Sequence, residues 1–124
     1  MLFNLLSDLV KIDNILLIIK NAGAVSEIRS NSLSIKQKEK WITIGDNDGP
    51  AHLHINTELI QNVEFIEEQK PERTSFSIQF FDKDNNRVLG AFFTKMYDQS
   101  MTLDNERKKT YDDLRQKYGS KIKF

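Results

Sequence analysis

TSFSIQFFDKDNNRVLGAFFTK, residues 74–95, decides how this chain folds. Two apolar runs, Thr74–Phe81 and 88–95, flank the polar segment 83–86, whose Asp84, Asn85 and Asn86 are turn formers. The pattern predicts a β-hairpin. Side chains alternate across a strand, so Phe76, Ile78 and Phe80 share one face and Phe81 takes the other. Phe92 and Phe93 split in the same way. A sheet apolar on both faces has to be covered twice.

Working outward, more short strands come into view. Trp41–Ile44 is one, followed by the turn-rich GDNDGP at 45–50. In AHLHI, 51–55, His52 and His54 lie on one face and Leu53 and Ile55 on the other. A further strand spans 63–66. Val25 and Ile28 give strand content to AVSEIRS, and NSLSIKQKEK, 31–40, reads as a loop or short strand. No long helix separates these runs, which predicts an antiparallel β-meander of about five to six strands. At the N-terminus Leu2, Leu5, Leu6, Leu9, Ile12, Leu16 and Ile19 follow helical spacing, predicting one helix or two short ones before a stop at Asn21-Ala22-Gly23. In the tail, Leu103, Tyr111, Leu114 and Tyr118 share a helix face, with Thr102 or Asp104 as cap and Gly119 as stop. The reading is an α+β fold in a single domain over 1–124: N-terminal helix or helices, meander, C-terminal helix.

Eighteen basic residues balance eighteen acidic ones. Nucleic-acid binding rests on excess cation, so no nucleic-acid partner is expected. The absence of cysteine excludes disulfides and thiolate chemistry and fits a cytoplasmic location. The longest unbroken apolar run is only residues 15–19, far short of the ~20 residues of a membrane span, so no membrane association is expected.

His52 and His54, two residues apart on a strand face, can hold one metal between them if a neighbouring Asp or Glu completes the site, since no third His or Cys exists. The plainer reading makes them half-buried sheet residues hydrogen-bonded across the sheet. Catalytic constellations are poor. IGDNDGP lacks the lysine and helix of a phosphate loop, and the calcium-loop start at Asp46 has Thr57 where its closing glutamate belongs. No catalytic residue is assigned and no enzymatic activity is expected.

Several motifs, taken in order, resemble the haem-iron utilisation superfamily: Trp41 leading a strand, Leu53-His54-Ile55, Lys70-Pro71, Thr74-Ser75, Phe80 or Phe81 with Asp82, and Phe92-Phe93 with Lys95. The resemblance covers roughly 23–95 and suggests a small member equivalent to one half of the tandem proteins of that group. It implies a cytoplasmic protein that binds or carries haem or another planar hydrophobic ligand. Lys70 and Lys95 would meet carboxylates, Phe93 would pack on the ring, and His52 or His54 is the only imidazole available to a metal. It also implies a homodimer that rebuilds the tandem arrangement. Two departures stand out. The tandem members carry their iron-ligating histidine upstream of the meander, and this chain has none before His52. Met96 stands where a propionate-binding arginine follows the aromatic pair. The alternative is a non-catalytic interaction or regulatory module that has kept the fold and lost the haem.

Overall fold

The hairpin is the centre of the molecule. The computed structural model describes all 124 residues, Met1–Phe124. In chain order its elements are α1 (Leu2–Val10), β1 (Ile15–Lys20), β2 (Val25–Arg29), β3 (Ile35–Lys38), β4 (Trp41–Ile44), β5 (Leu53–Asn56), β6 (Asn62–Gln69), β7 (Thr74–Phe81), β8 (Arg87–Phe93), α2 (Asn105–Tyr118) and β9 (Lys121–Lys123). A six-stranded antiparallel sheet has the order β2-β1-β8-β7-β6-β9, and a three-stranded sheet the order β3-β4-β5. The expected helix–meander–helix frame is there. The strand count is nine rather than five to six, because β1, β2 and β9 extend the meander at its edges.

The N-terminal expectation needs correction. The helix stops at Val10, and Ile15–Lys20 is a strand, not a second helix. Asn14 sits at φ 63, a left-handed conformation that Asn tolerates and that reverses the chain. Beyond it ILLIIK, rich in β-branched residues, joins β8 (Ile15 opposite Phe93, Leu17 opposite Ala91) and β2 (Leu17 opposite Ile28). Buried Ser30 ties this corner together: its hydroxyl donates to the Ile12 carbonyl and accepts the Ile15 N–H at 3.0 Å.

One face of the six-stranded sheet carries the core. Phe76, Ile78, Phe80, Leu89, Ala91, Phe93, Ile15, Leu17 and Val63 are buried there, in one cluster with Leu5, Leu6 and Leu9 of α1 and Ile42, Ile44, Leu53 and Ile55 of the small sheet. The helix α2 is capped by Asp104, whose carboxylate accepts the N–H groups of Glu106 and Arg107. Its Tyr111 is fully buried, meets Phe65, Phe76 and Phe93 edge-on at 5.1–5.6 Å, and donates to the Ser77 carbonyl at 2.9 Å. Burial raises the Tyr111 phenol well above its ordinary value. Asp8 joins α1 to α2 through Lys117 at 2.8 Å and the Tyr118 hydroxyl.

Both helices and the small sheet therefore lie on one side. The opposite face carries half-buried Leu16, Ile18, Ile66, Phe81 and Phe92, but β7 interposes Ser75, Ser77 and Gln79. The second face is thus less continuously apolar than the phenylalanine pattern suggests. Gly90 lets the Phe92 ring lie down on this face: an added Cβ would stand 2.7 Å from Phe92 Cε1. The Arg87 guanidinium sits over the ring, 5.4 Å from its centroid.

Candidate functional site: a cation-rimmed cavity at the end of the open face

A cavity of about 520 Å³ opens where β1 and β8 meet the β6–β7 turn and the segment after β8. Leu16 and Ile18 of β1 and Phe92 of β8 supply an apolar floor. Lys70 and Arg73 come from the β6–β7 turn, closed by the Lys70 N–H donating to the Arg73 carbonyl at 2.8 Å. Lys95 comes from the strap that follows Phe93. These three cations are exposed, and none is engaged in an ion pair within the chain.

The strap is held at both ends. Thr94 donates its N–H and its hydroxyl to the Asn14 carbonyl and accepts from Arg29 at 3.3 Å. The Tyr97 hydroxyl accepts the Thr74 N–H at 2.9 Å and donates to the Thr74 carbonyl at 3.2 Å. Between these anchors Lys95 adopts φ 57, and Met101 further on adopts φ 62. Such conformations cost non-glycine residues about 1–2 kcal/mol and persist where the surroundings impose them. Asp98 closes the strap into a tight turn, accepting the N–H groups of Ser100 and Thr102 and the Ser100 hydroxyl. The Thr102 and Ser100 hydrogen bonds hold its carboxyl below the ordinary value. Its Oδ1 is thus engaged in its own turn while Oδ2 stays open, and Glu27 is the other acid on the wall.

The expected site residues separate into two groups. Lys70, Phe93 and Lys95 come together on this cavity. Phe93 contributes only at the margin, because it is 6% exposed and its ring packs on Tyr111; the aromatic presented to the cavity is Phe92. His52 and His54 lie elsewhere, on the solvent face of the small sheet, with ring centroids 5.2 Å apart. The His54 Nδ1 is hydrogen-bonded to the Thr43 hydroxyl at 2.8 Å. No group of three or more His, Asp or Glu side chains is arranged to hold a metal ion, so the expected metal pairing finds no third ligand. His54 is a cross-strand sheet residue and His52 stands just before β5, both exposed rather than half-buried. Arg73, Leu16, Ile18, Phe92 and Tyr97 escaped the sequence reading. Of these, Arg73, a cation near Pro71 in the expected turn, and Phe92, quoted in the aromatic pair but not chosen, left a local signal.

A family model matches residues 3–119. Solved structures of similar fold include the haem-binding protein ChuX, with TM-score 0.76, 18% identity, 92% of this chain and 70% of that one. The chain belongs to the family of that model and has the fold of these haem-utilisation proteins. Holo-PhuS, a haem-binding protein from Pseudomonas aeruginosa, matches with TM-score 0.72 at 15% identity over 90% of this chain and 31% of that one. ChuS, an E. coli haem oxygenase, matches with TM-score 0.71 at 16% identity over 91% and 33%. The chain thus spans about a third of PhuS and ChuS and about two thirds of ChuX. At these identities the likeness establishes the fold. No curated protein matches the sequence. No helix is long and apolar enough to cross a membrane.

The cavity can be set against the group its fold family suggests. Its volume lies in the range of small-molecule sites, its floor suits a flat apolar body, and its rim suits carboxylates. The organic part of haem fits these residues. An imidazole-ligated iron does not, because neither histidine reaches the wall.

Proposed function

We propose that this chain binds and carries haem or a related planar, carboxylate-bearing ligand in the cavity between β1, β8, the β6–β7 turn and the strap. One observation carries the reading: Lys70, Arg73 and Lys95, all free of ion pairs, surround an apolar floor of Leu16, Ile18 and Phe92. The floor takes the face of the ring by apolar burial and aromatic contact. The cations take the carboxylates by charge-assisted hydrogen bonds, Arg73 with the fork geometry suited to bidentate pairing. Phe93 backs the floor from the core. No group on the wall forms a nucleophile–base pair, and the function is binding rather than turnover. The test is a hemin titration followed at the Soret band. The reading expects a saturable change at about one equivalent, weakened in Lys70→Ala/Arg73→Ala. A spectrum identical to free hemin at all ratios would refute it and favour a regulatory module that has kept the fold without the ligand.

The assembly that accompanies this reading is a homodimer. Support comes from the half-buried Ile66 and Phe81, on the part of the uncovered face beyond the cavity floor, and from the chain's match to about a third of the longer relatives. A two-fold contact over that face removes apolar area from water at roughly 25 cal/mol per Å². Sedimentation equilibrium at micromolar concentration is expected to give twice the 14.5 kDa of one chain, and a mass of one chain would overturn the dimer.

A further inference from the structure

The cavity's chemistry bears on what kind of tetrapyrrole it selects. Resting on the ligand reading above, we infer that it recognises its ligand through carboxylates and a flat apolar body, without coordinating a metal, so that an iron-free porphyrin dicarboxylate binds as well as the iron complex.

The wall has been filled with groups whose donor capacity is already used or misdirected. The two imidazoles of the chain stand on the small sheet, and His54 is engaged with Thr43. The Tyr97 hydroxyl, the one phenol on the wall, both accepts from and donates to Thr74, and it is this pair of hydrogen bonds that pins the strap. Freeing it to meet a metal would release the strap that presents Lys95. Met96 is 4% exposed and belongs to the core cluster. Asp98 commits its Oδ1 to three hydrogen bonds within its own turn, which leaves only Oδ2 open to solvent. What remains at the rim is Glu27, on an edge strand, the free Oδ2 of Asp98, and exposed Met101. Against this sparse donor set stand three unpaired cations. A carboxylate is therefore the group the cavity is built to read, and the apolar floor it offers to a flat body is Leu16, Ile18 and Phe92. The chemical class that fits is a planar apolar dicarboxylate, metallated or not.

The experiment compares three probes on the intact chain: hemin, iron-free protoporphyrin IX and its dimethyl ester. Equilibrium titration by absorbance and porphyrin fluorescence gives each Kd. The inference expects hemin and the free acid to agree within about threefold and the ester to bind at least about tenfold more weakly, the factor that corresponds to 1.4 kcal/mol of lost carboxylate contact. Lys70→Ala and Lys95→Asn should weaken both acids alike; Asn is chosen because it tolerates the left-handed backbone at 95. Glu27, Asp98 and Met101 line the cavity, and Glu27→Gln, Asp98→Asn and Met101→Ala should each shift hemin and the free acid by the same factor. Binding of hemin without the free acid, or selective loss of hemin in Met101→Ala, Asp98→Asn or Glu27→Gln, would overturn metal-independent recognition while leaving the ligand reading intact. An ester as tight as the acid would overturn carboxylate recognition. Failure of all three probes to bind would instead remove the ligand reading on which the inference rests.

Discussion

Replacing Ser30 by Ala removes one hydroxyl and tests how the floor strand is held. The Ser30 hydroxyl donates to the Ile12 carbonyl and accepts the Ile15 N–H at 3.0 Å, while its own N–H donates to the Ile15 carbonyl at 2.9 Å. The last bond survives the substitution. The first two do not. Ile15 is 0% exposed, so its N–H has no access to water and is left unpaired. A stranded buried donor costs about 1–3 kcal/mol. Ile12 is only half-buried, and its carbonyl can recover part of its loss by hydration. The sum is about 2 kcal/mol, with no compensating gain because alanine fills less of the site. For a chain of this size the urea m-value is about 2 kcal/mol per M, so the midpoint should fall by about 1 M. Equilibrium unfolding followed by far-UV circular dichroism measures this. Ser30→Thr, which keeps the hydroxyl, should recover part of the loss. A change below about 0.5 kcal/mol for the alanine variant, the size of an ordinary surface substitution, would refute the argument that this hydroxyl satisfies the β1 corner.

Gly45→Ala should be the more damaging small change. Gly45 is at φ +87, and an added Cβ would lie 2.4 Å from the Ala51 carbonyl oxygen, so thermal unfolding should reveal a loss of at least about 2 kcal/mol. At Asp8 burial pushes the carboxyl up, but the hydrogen bonds from Lys117 and Tyr118 outweigh it and hold the group below its ordinary 3.8. A depressed carboxylate stabilises the fold above its unfolded pKa, and that contribution is lost as pH falls through the folded value. The stability deficit of Asp8→Asn should therefore be present at neutral pH and close under acid conditions below 3.8, as read by urea midpoints across pH. His52→Ala/His54→Ala should leave hemin affinity within about twofold of the parent chain, because neither ring lies on the cavity wall; a loss beyond about tenfold, 1.4 kcal/mol, would place the ligand on the small sheet instead.

What was legible in the sequence depended on how local the cause was. Trp41–Ile44 and Thr74–Phe81 fall where they were expected, because period-two alternation is a property of a few neighbouring residues. The same alternation separated Leu53 and Ile55 from the two histidines, without saying which pair is covered: the first pair is buried, and the histidines are exposed rather than half-buried. ILLIIK misled because a continuous apolar run has no period. Its strand state is set by β8, with Ile15 opposite Phe93 far along the chain, and by the Asn14 turn that ends the helical spacing. The tail helix was visible from its cap and stop, whereas β9 depends on pairing with β6, which no local pattern announces.

The site was legible in part for a similar reason. Lys70 and Lys95 were found through the resemblance, and they do meet at one cavity. The choice of Phe93 over Phe92 could not be made from alternation alone, which splits the pair without saying which side is covered. Tyr111 decides it, by filling the side on which Phe93 lies. Tyr97 carried no signal because its role, gripping both polar groups of Thr74, exists only once the strap has crossed to β7.

The most direct test of the ligand site is a map of where a ligand touches the chain. Amide chemical-shift changes on titrating the uniformly labelled protein with a diamagnetic, iron-free porphyrin dicarboxylate would supply it. The account predicts saturable shifts concentrated at Leu16, Ile18, 70–75 and 92–101, with the small sheet silent. Shifts centred on Trp41, Thr43 and His54, or no saturable shifts at all, would contradict it.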